Sequence, residues 1–287
     1  MSAFTEIQKE INQTHDLRKP HLEKISKLRG NRAVVSLFIT FFGDYPLMSK
    51  DSDMVEEVLS NADCSNGISL IIDAPGGDGL AAERLIQVCR SYTKKDFETI
   101  VPARAKSAAT MVCLGSDRIL LSPTSELGPI DPQVYYEDGW VAAYHLVKTY
   151  DELFAAAVST TGKIEPYLQQ LTKFDAVVIN DLRAATKLSE SIAVTSLKTS
   201  MLKGKDEVQI RKMIERFTNP ELTLSHGRAL NHELSKSCGL NIELMDLSSE
   251  LWKEVWALYT RSNFVVDNTS TAKIVETIDD SYTVGRK

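Results

Sequence analysis

No stretch of this chain stays apolar long enough to cross a bilayer. The longest such run, Ala33–Phe42, has ten residues, about half of what a helical span needs. Its β-branched and aromatic residues suit a buried strand instead. The first ten residues are polar and contain no signal-peptide core, so a cytoplasmic protein without an integral membrane segment is expected. An excess of basic residues is missing too. A net charge of −6 argues against nucleic acid as a partner, since that requires a basic face. Cysteine is sparse. Cys64, Cys89, Cys113 and Cys238 form no C-x-x-C pair, and no Cys/His group has ligand spacing. Free thiols and no metal are therefore expected. No Walker-type loop is present, so ATP hydrolysis by this chain is not expected. No internal repeat or low-complexity tract interrupts the sequence.

What is present is ordinary globular material: 287 residues, 43% hydrophobic and 25% charged, enough for one large core or two small ones. Apolar runs at 32–42, 68–72, 99–103 and 118–121 predict strands. Between them, 51–62, 78–92 and a stretch starting at Ser107 place apolar residues at helical intervals. Strands alternating with helices predict an α/β fold with a largely parallel sheet, its strands covered on both faces. From about residue 139 the pattern turns mostly helical, with helices predicted at 175–201, 204–217, 228–238 and 247–260. Residues 1–30 read as a charged helical arm, and 263–287 as a polar, frayed tail.

Two segments carry chemistry. The first is Asp73-Ala74-Pro75-Gly76-Gly77, directly after an apolar strand. Paired glycines let backbone approach a ligand closely and can present N–H groups outward. Asp78 beyond them suits a helix cap. The second is Val101-Pro102-Ala103-Arg104-Ala105-Lys106-Ser107-Ala108-Ala109-Thr110. It delivers a serine to the mouth of a helix, where the N–H of Ala108 is one of the unpaired donors of the first turn. A serine hydroxyl with two backbone donors is what acyl transfer uses: a nucleophile and an oxyanion hole. Each segment alone has a plainer reading, a strand-to-helix turn for the first and an N-cap serine for the second.

Together they carry a resemblance. Leu70-Ile71-Ile72-Asp73-Ala74-Pro75-Gly76-Gly77, Ala81-Ala82-Glu83, Val101-Pro102, Ser107-Ala108-Ala109-Thr110 and Leu127-Gly128-Pro129-Ile130-Asp131-Pro132-Gln133 resemble the serine dehydrogenase proteinase family. That family is related to signal peptide peptidase and, more distantly, to Clp proteolytic subunits and crotonases. A weaker likeness continues through Leu224-Ser225-His226-Gly227-Arg228 and Cys238-Gly239-Leu240. The resemblance implies a Clp/crotonase-like core of repeated β-β-α units over 31–262, a helical insertion near 136–165, and a helical C-terminal half. It implies Ser107 as nucleophile, Gly77 and Ala108 as the oxyanion hole, and substrate contacts at Gly76 and Asp78. It also implies a peptide or protein substrate, a homo-oligomer and no cofactor. Asp73, Ala74 and Lys106 depart from the residues usual in relatives.

The base for Ser107 is less plain. Clp-type subunits use a histidine a short way past the serine, but none lies between 108 and 144 here. His145 and His226 stay open because a fold can join distant residues; His226, near a turn, reads as a structural or capping group. Signal peptide peptidases use a lysine at the start of a long helix. Lys173 fits that context best, ahead of Lys148 and Lys163. An ordinary lysine holds its proton to about pH 10.4, so such a base must be buried to work near neutrality. The expected function is a soluble serine peptidase with a Ser–Lys dyad. A crotonase-like acyl-coenzyme A enzyme and an inactive oligomeric scaffold are the alternatives.

Overall fold

Four parallel strand pairings build the centre of the molecule. The computed structural model describes residues 13–286, together with Thr5 and Ile7. Strands β1 (Ala33–Ile39), β2 (Ile68–Asp73), β3 (Phe97–Val101) and β5 (Arg118–Leu121) run side by side, and β9 (Ile242–Leu244) joins beyond β5. On the other side, β10 (Thr271–Glu276) pairs antiparallel with β1, and β11 (Ser281–Gly285) with β10. The order of this mainly parallel sheet is β11-β10-β1-β2-β3-β5-β9. β1, β2 and β3 are buried throughout, as their continuous apolar sequences require when both faces are covered.

Side chains leave the sheet with a period of two. Val34, Phe38, Ile71, Ile100, Leu120 and Ile274 point to one face. There they meet Leu22 and Ile25 of α1 (His15–Leu28) and Val255, Leu258 and Val266 of α12 (Glu250–Asn268). Val35, Leu37, Leu70, Ile72, Val101 and Leu121 point to the other. That face is covered by α2 (Ser49–Ser60), α3 (Gly79–Tyr92), α4 (Ala108–Leu114) and the second half of α7 (Ala176–Thr199).

Past the C-terminal ends of the strands lies a second, shorter ladder. β4 (Arg104–Ala105) pairs with β6 (Glu126–Leu127), and single bridges extend it through Ala74·Ala105, Leu127·Leu230 and Leu47·Gly77. This ladder holds the loops that carry the site, on the side of an α/β sheet where ligands bind. A hairpin of β7 (Gln133–Tyr136) and β8 (Gly139–Ala142) follows, leading into α5 (Ala143–Ser159) and α6 (Glu165–Leu171). Residues 136–165 are thus the end of a hairpin followed by helices. A small cluster around Ala143, Ile179 and Leu182 packs this segment against the first half of α7. Short helices α8 (Glu207–Met213), α9 (Glu215–Thr218), α10 (Pro220–Thr223) and α11 (His232–Ser237) complete the chain.

One expectation changes. Residues 263–287 are not a frayed tail: α12 continues to Asn268, and the chain then adds β10 and β11 to the main sheet, with Ala272, Ile274 and Val275 fully buried. The helical arm over 1–30 is seen as α1; residues 1–4, 6 and 8–12 lie outside the described residues. Among the described residues no helix is long and apolar enough to cross a membrane.

Candidate active site

The two chemistry-bearing loops interlock through their glycines. Gly76 has φ +105°, and a Cβ added there would stand 2.6 Å from the Cβ of Ser107. Gly77 has φ +149°, and a Cβ there would stand 2.3 Å from the backbone nitrogen of Leu47. Only glycine tolerates both the conformation and the contacts. The turn is pinned from one side. Leu47 donates its N–H to the Gly76 carbonyl (2.7 Å), and Asp78 donates its N–H to the Leu47 carbonyl (2.9 Å). In such a parallel bridge the residue between, Gly77, directs its own N–H away from the partner strand. Gly77 is exposed, and its N–H has no hydrogen-bond partner among the described residues.

Ser107 is the residue before α4, with φ +49° and ψ −118°. This is a costly conformation for a residue with a Cβ, and such strain gathers at functional sites. The hydroxyl makes no capping bond, so the plain N-cap reading of Ser107 does not hold. The turn is secured by other atoms. The Ser107 carbonyl accepts from Met111 N–H (3.1 Å), while the Thr110 hydroxyl donates to the Ala105 carbonyl (2.7 Å) and accepts from Gly128 N–H (2.9 Å). The N–H of Ala108 opens the helix and has no partner among the described residues, as expected for a first-turn donor.

Ser107 and the Pro75–Asp78 turn line a cleft of about 1090 Å³. Met111, Leu188 and Ile192 give it an apolar wall near the serine, and Trp140 and Val141 of the hairpin form another side. Asp78 lines the mouth and caps α3 by accepting from Leu80 N–H (2.9 Å). Asp131 and His226 line the same cleft. The Nδ1 of His226 lies 2.8 Å from Oδ1 of Asp131, a carboxylate only 4% exposed. Gln133 donates from Nε2 to the other oxygen of Asp131 (2.7 Å). An imidazole whose Nδ1–H is held by a carboxylate presents its Nε2 lone pair as a base. His145, on α5, also faces the cleft.

The structure therefore brings Ser107, Gly76, Gly77, Asp78 and the buried Ala108 into one neighbourhood, and adds His226 and Asp131. It does not bring a lysine. Among the described residues no lysine lines the cleft. Lys173 is exposed in the turn before α7, and Lys163 is exposed between α5 and α6. Lys148 is bound to Glu221 and lies 3.8 Å from Glu152, and the Glu221 contact raises its pKa, opposite to what a base requires. Lys106 pairs with Glu126 at 2.8 Å. The strings around Asp131 and His226 are both visible in the sequence, but 95 residues separate them, and no spacing rule links an aspartate and a histidine so far apart.

Three other buried groups have raised pKa values. Burial pushes the thiols of Cys89 and Cys113 up to about 12, which keeps them from acting as nucleophiles. Burial also pushes the Asp73 carboxyl up to about 7, against the opposing pull of Arg104.

The family model for the ClpP-like SDH-type serine proteinase matches residues 5–164. Two uncharacterized proteins of Methanocaldococcus jannaschii are also similar. One is 33% identical over 85 residues, covering 30% of this chain and 29% of the relative. The other is 28% identical over 120 residues, covering 39% of this chain and 41% of the relative. The match thus spans less than half the length of either relative.

Proposed function

The chain belongs to the ClpP-like SDH-type serine proteinases, and from that membership we propose that it cleaves peptide bonds with Ser107 as nucleophile and His226 as base. The carrying observation is the shared cleft, which both a strained Ser107 and a carboxylate-held imidazole line. In the acylation step Ser107 Oγ bonds to the carbonyl carbon as its proton passes to His226 Nε2. The carbonyl oxygen becomes an oxyanion, held by the N–H groups of Gly77 and Ala108. On collapse the C–N bond breaks, and His226 returns the proton to the leaving amine. A water molecule then repeats the sequence on the acyl-enzyme and frees the acid. Asp131 orients the ring and stabilises the imidazolium as it forms.

A Ser–Lys dyad, expected from the resemblance, is the competing form of the same chemistry. It would need Lys173, Lys148 or Lys163 to reach Ser107 from an exposed position. The test is labelling by a fluorophosphonate–rhodamine probe together with casein cleavage. Ser107→Ala should abolish both with folding intact, and His226→Ala should reduce both strongly while Lys173→Met does not. Labelling that survives Ser107→Ala removes the nucleophile; loss of activity in Lys173→Met with His226→Ala active restores the dyad.

The homo-oligomer belongs to the same proposal. Phe154 (54% exposed), Val158 (73%) and Val177 (68%) leave apolar side chains open on α5 and α7, and exposed apolar surface suits a protein–protein contact. Sedimentation velocity at micromolar concentration should find an assembly that Val158→Asp with Val177→Asp breaks; a monomeric parent protein overturns this.

A further inference from the structure

We propose that Gln133 is a positioning residue, whose side-chain amide holds the Asp131 carboxylate in the orientation that keeps His226 poised for Ser107. This rests on the reading of His226 and Asp131 given above.

Asp131 is buried, and among the described residues its carboxylate has only two side-chain partners. Oδ1 faces His226 Nδ1 at 2.8 Å, and Oδ2 accepts from Gln133 Nε2 at 2.7 Å. A buried carboxylate with an empty oxygen is costly and free to turn about its last bond. Gln133 closes both openings. Its amide also carries no charge. A lysine or arginine in its place would neutralise Asp131 and weaken its hold on a developing imidazolium, whereas a neutral donor fixes the carboxylate and leaves its full charge for His226.

The backbone around the pair is fixed independently. The Ile130 N–H donates to the Phe217 carbonyl (2.7 Å), and the Ile130 carbonyl accepts from the Ser189 hydroxyl (2.5 Å). Ala143 donates its N–H to the Pro132 carbonyl (2.9 Å), and Gln133 pairs with Ala142 in the hairpin. What remains to be set is the carboxylate's own rotation, and Gln133 sets it. The same hairpin contributes Trp140 and Val141 to the cleft wall. A peptide resting on that wall would press on the element that carries Gln133. Among the described residues, a small cavity behind Asp131 also holds the ionisable Tyr144 and Glu190, and the cleft holds His145, Asp78, Asp44 and Tyr45. Glu190 is paired with Arg211 at 2.7 Å.

The experiment measures the saturable rate at which a fluorophosphonate labels Ser107 in the full chain, from pH 5 to 9, with thermal unfolding alongside. In Gln133→Leu the maximal rate should fall about 10- to 100-fold, the usual scale for losing an outer hydrogen bond to a functional group. The half-saturating probe concentration should stay nearly constant. In Gln133→Glu a protonated carboxyl can donate to Asp131 as the amide does. Its rate should recover toward acid pH and fall as the second carboxylate ionises beside Asp131. Gln133→Leu at the parent rate overturns the proposal, as does an equal, pH-independent loss in both variants, which would mean a space-filling role. If Gln133→Leu does not fold, the pH dependence of Gln133→Glu decides alone. His226→Ala separates the two levels. Undiminished labelling there removes the His226–Asp131 reading and this proposal with it. Lost labelling there, with unaffected Gln133 variants, removes only the role of Gln133.

Discussion

His226 and Asp131 meet at 2.8 Å across 95 residues of sequence, on the same cleft as Ser107. A carboxylate can only accept, so a neutral imidazole bonded to it carries its proton on Nδ1 and its free lone pair on Nε2. Asp131→Asn tests this directly. An asparagine amide can donate to Nδ1, which selects the opposite tautomer and leaves Nε2 protonated. Peptidase turnover should drop by about 10³- to 10⁴-fold, the scale seen when a triad carboxylate becomes an amide. Binding of an uncleaved peptide should change little. Turnover within a few-fold of the parent would mean that the histidine is held for structural reasons alone.

Much of this arrangement was legible beforehand, and the remainder was hidden for identifiable reasons. The parallel strands announce themselves because each is a continuous apolar run. The Pro75–Gly77 turn and Ser107 announce themselves because strained backbone and close approach restrict residue choice. β10 is different. It reads Thr271-Ala272-Lys273-Ile274-Val275-Glu276, and its two charges make it look like solvated tail. In the structure each charge is buried against a distant partner. Lys273 Nζ lies 2.6 Å from Asp51, and Glu276 accepts from Arg18 Nε at 2.8 Å. Pairings across 222 and 258 residues leave no trace in local pattern. The proposed base was hidden in the same way, since only the fold joins the strings around Asp131 and His226.

That disguise has an energetic consequence. Lys273→Met keeps the length of the side chain and removes its charge, leaving the Asp51 carboxylate buried without its cation. Breaking one side of a buried pair costs about 3–5 kcal/mol. The variant should therefore unfold at a markedly lower urea concentration. Asp51→Asn combined with Lys273→Met should recover much of the loss, because no buried charge is then left alone. A single variant as stable as the parent would mean that water reaches the pair.

Asp73 makes stability depend on pH. Burial raises its carboxyl to about 7 in the folded protein, whereas an unfolded aspartate titrates near about 3.9. Between those values the folded state keeps a proton that the unfolded state has released. Stability from this group is therefore complete below about pH 4 and is lost as pH rises to about 7. The full span corresponds to about 4 kcal/mol at most. Asp73→Asn keeps an oxygen to accept the Arg104 N–H, a contact of 2.6 Å in the parent, but cannot ionise. Urea denaturation from pH 4 to 8 should find the variant gaining on the parent as pH rises, with the gap levelling above about pH 7. A constant gap would mean that Asp73 is ionised throughout that range.

The two glycines of the turn should differ in what they lose. At Gly76 the nearest obstacle to an added Cβ is the Ser107 Cβ at 2.6 Å, so Gly76→Ala pushes on the proposed nucleophile itself. At Gly77 the obstacles are backbone atoms of Leu47, the nearest at 2.3 Å, and they are hydrogen-bonded to the turn on both sides. A Cβ is fixed by its own backbone, so the Ser107 Cβ and the Lys106 carbonyl oxygen (2.8 Å) can yield at Gly76 only by moving the loop that carries Ser107, whereas the Leu47 atoms yield only by breaking the bridge. Both positions also hold a positive φ that alanine resists. Gly77→Ala should thus cost about 2 kcal/mol or more of folding stability, combining strain with the broken bridge. Gly76→Ala should lose labelling of Ser107 by a fluorophosphonate out of proportion to any loss of stability. Measuring denaturation and labelling on the same preparations separates the two. Equal and proportionate losses would mean that the turn moves as one body and that neither glycine has a private role.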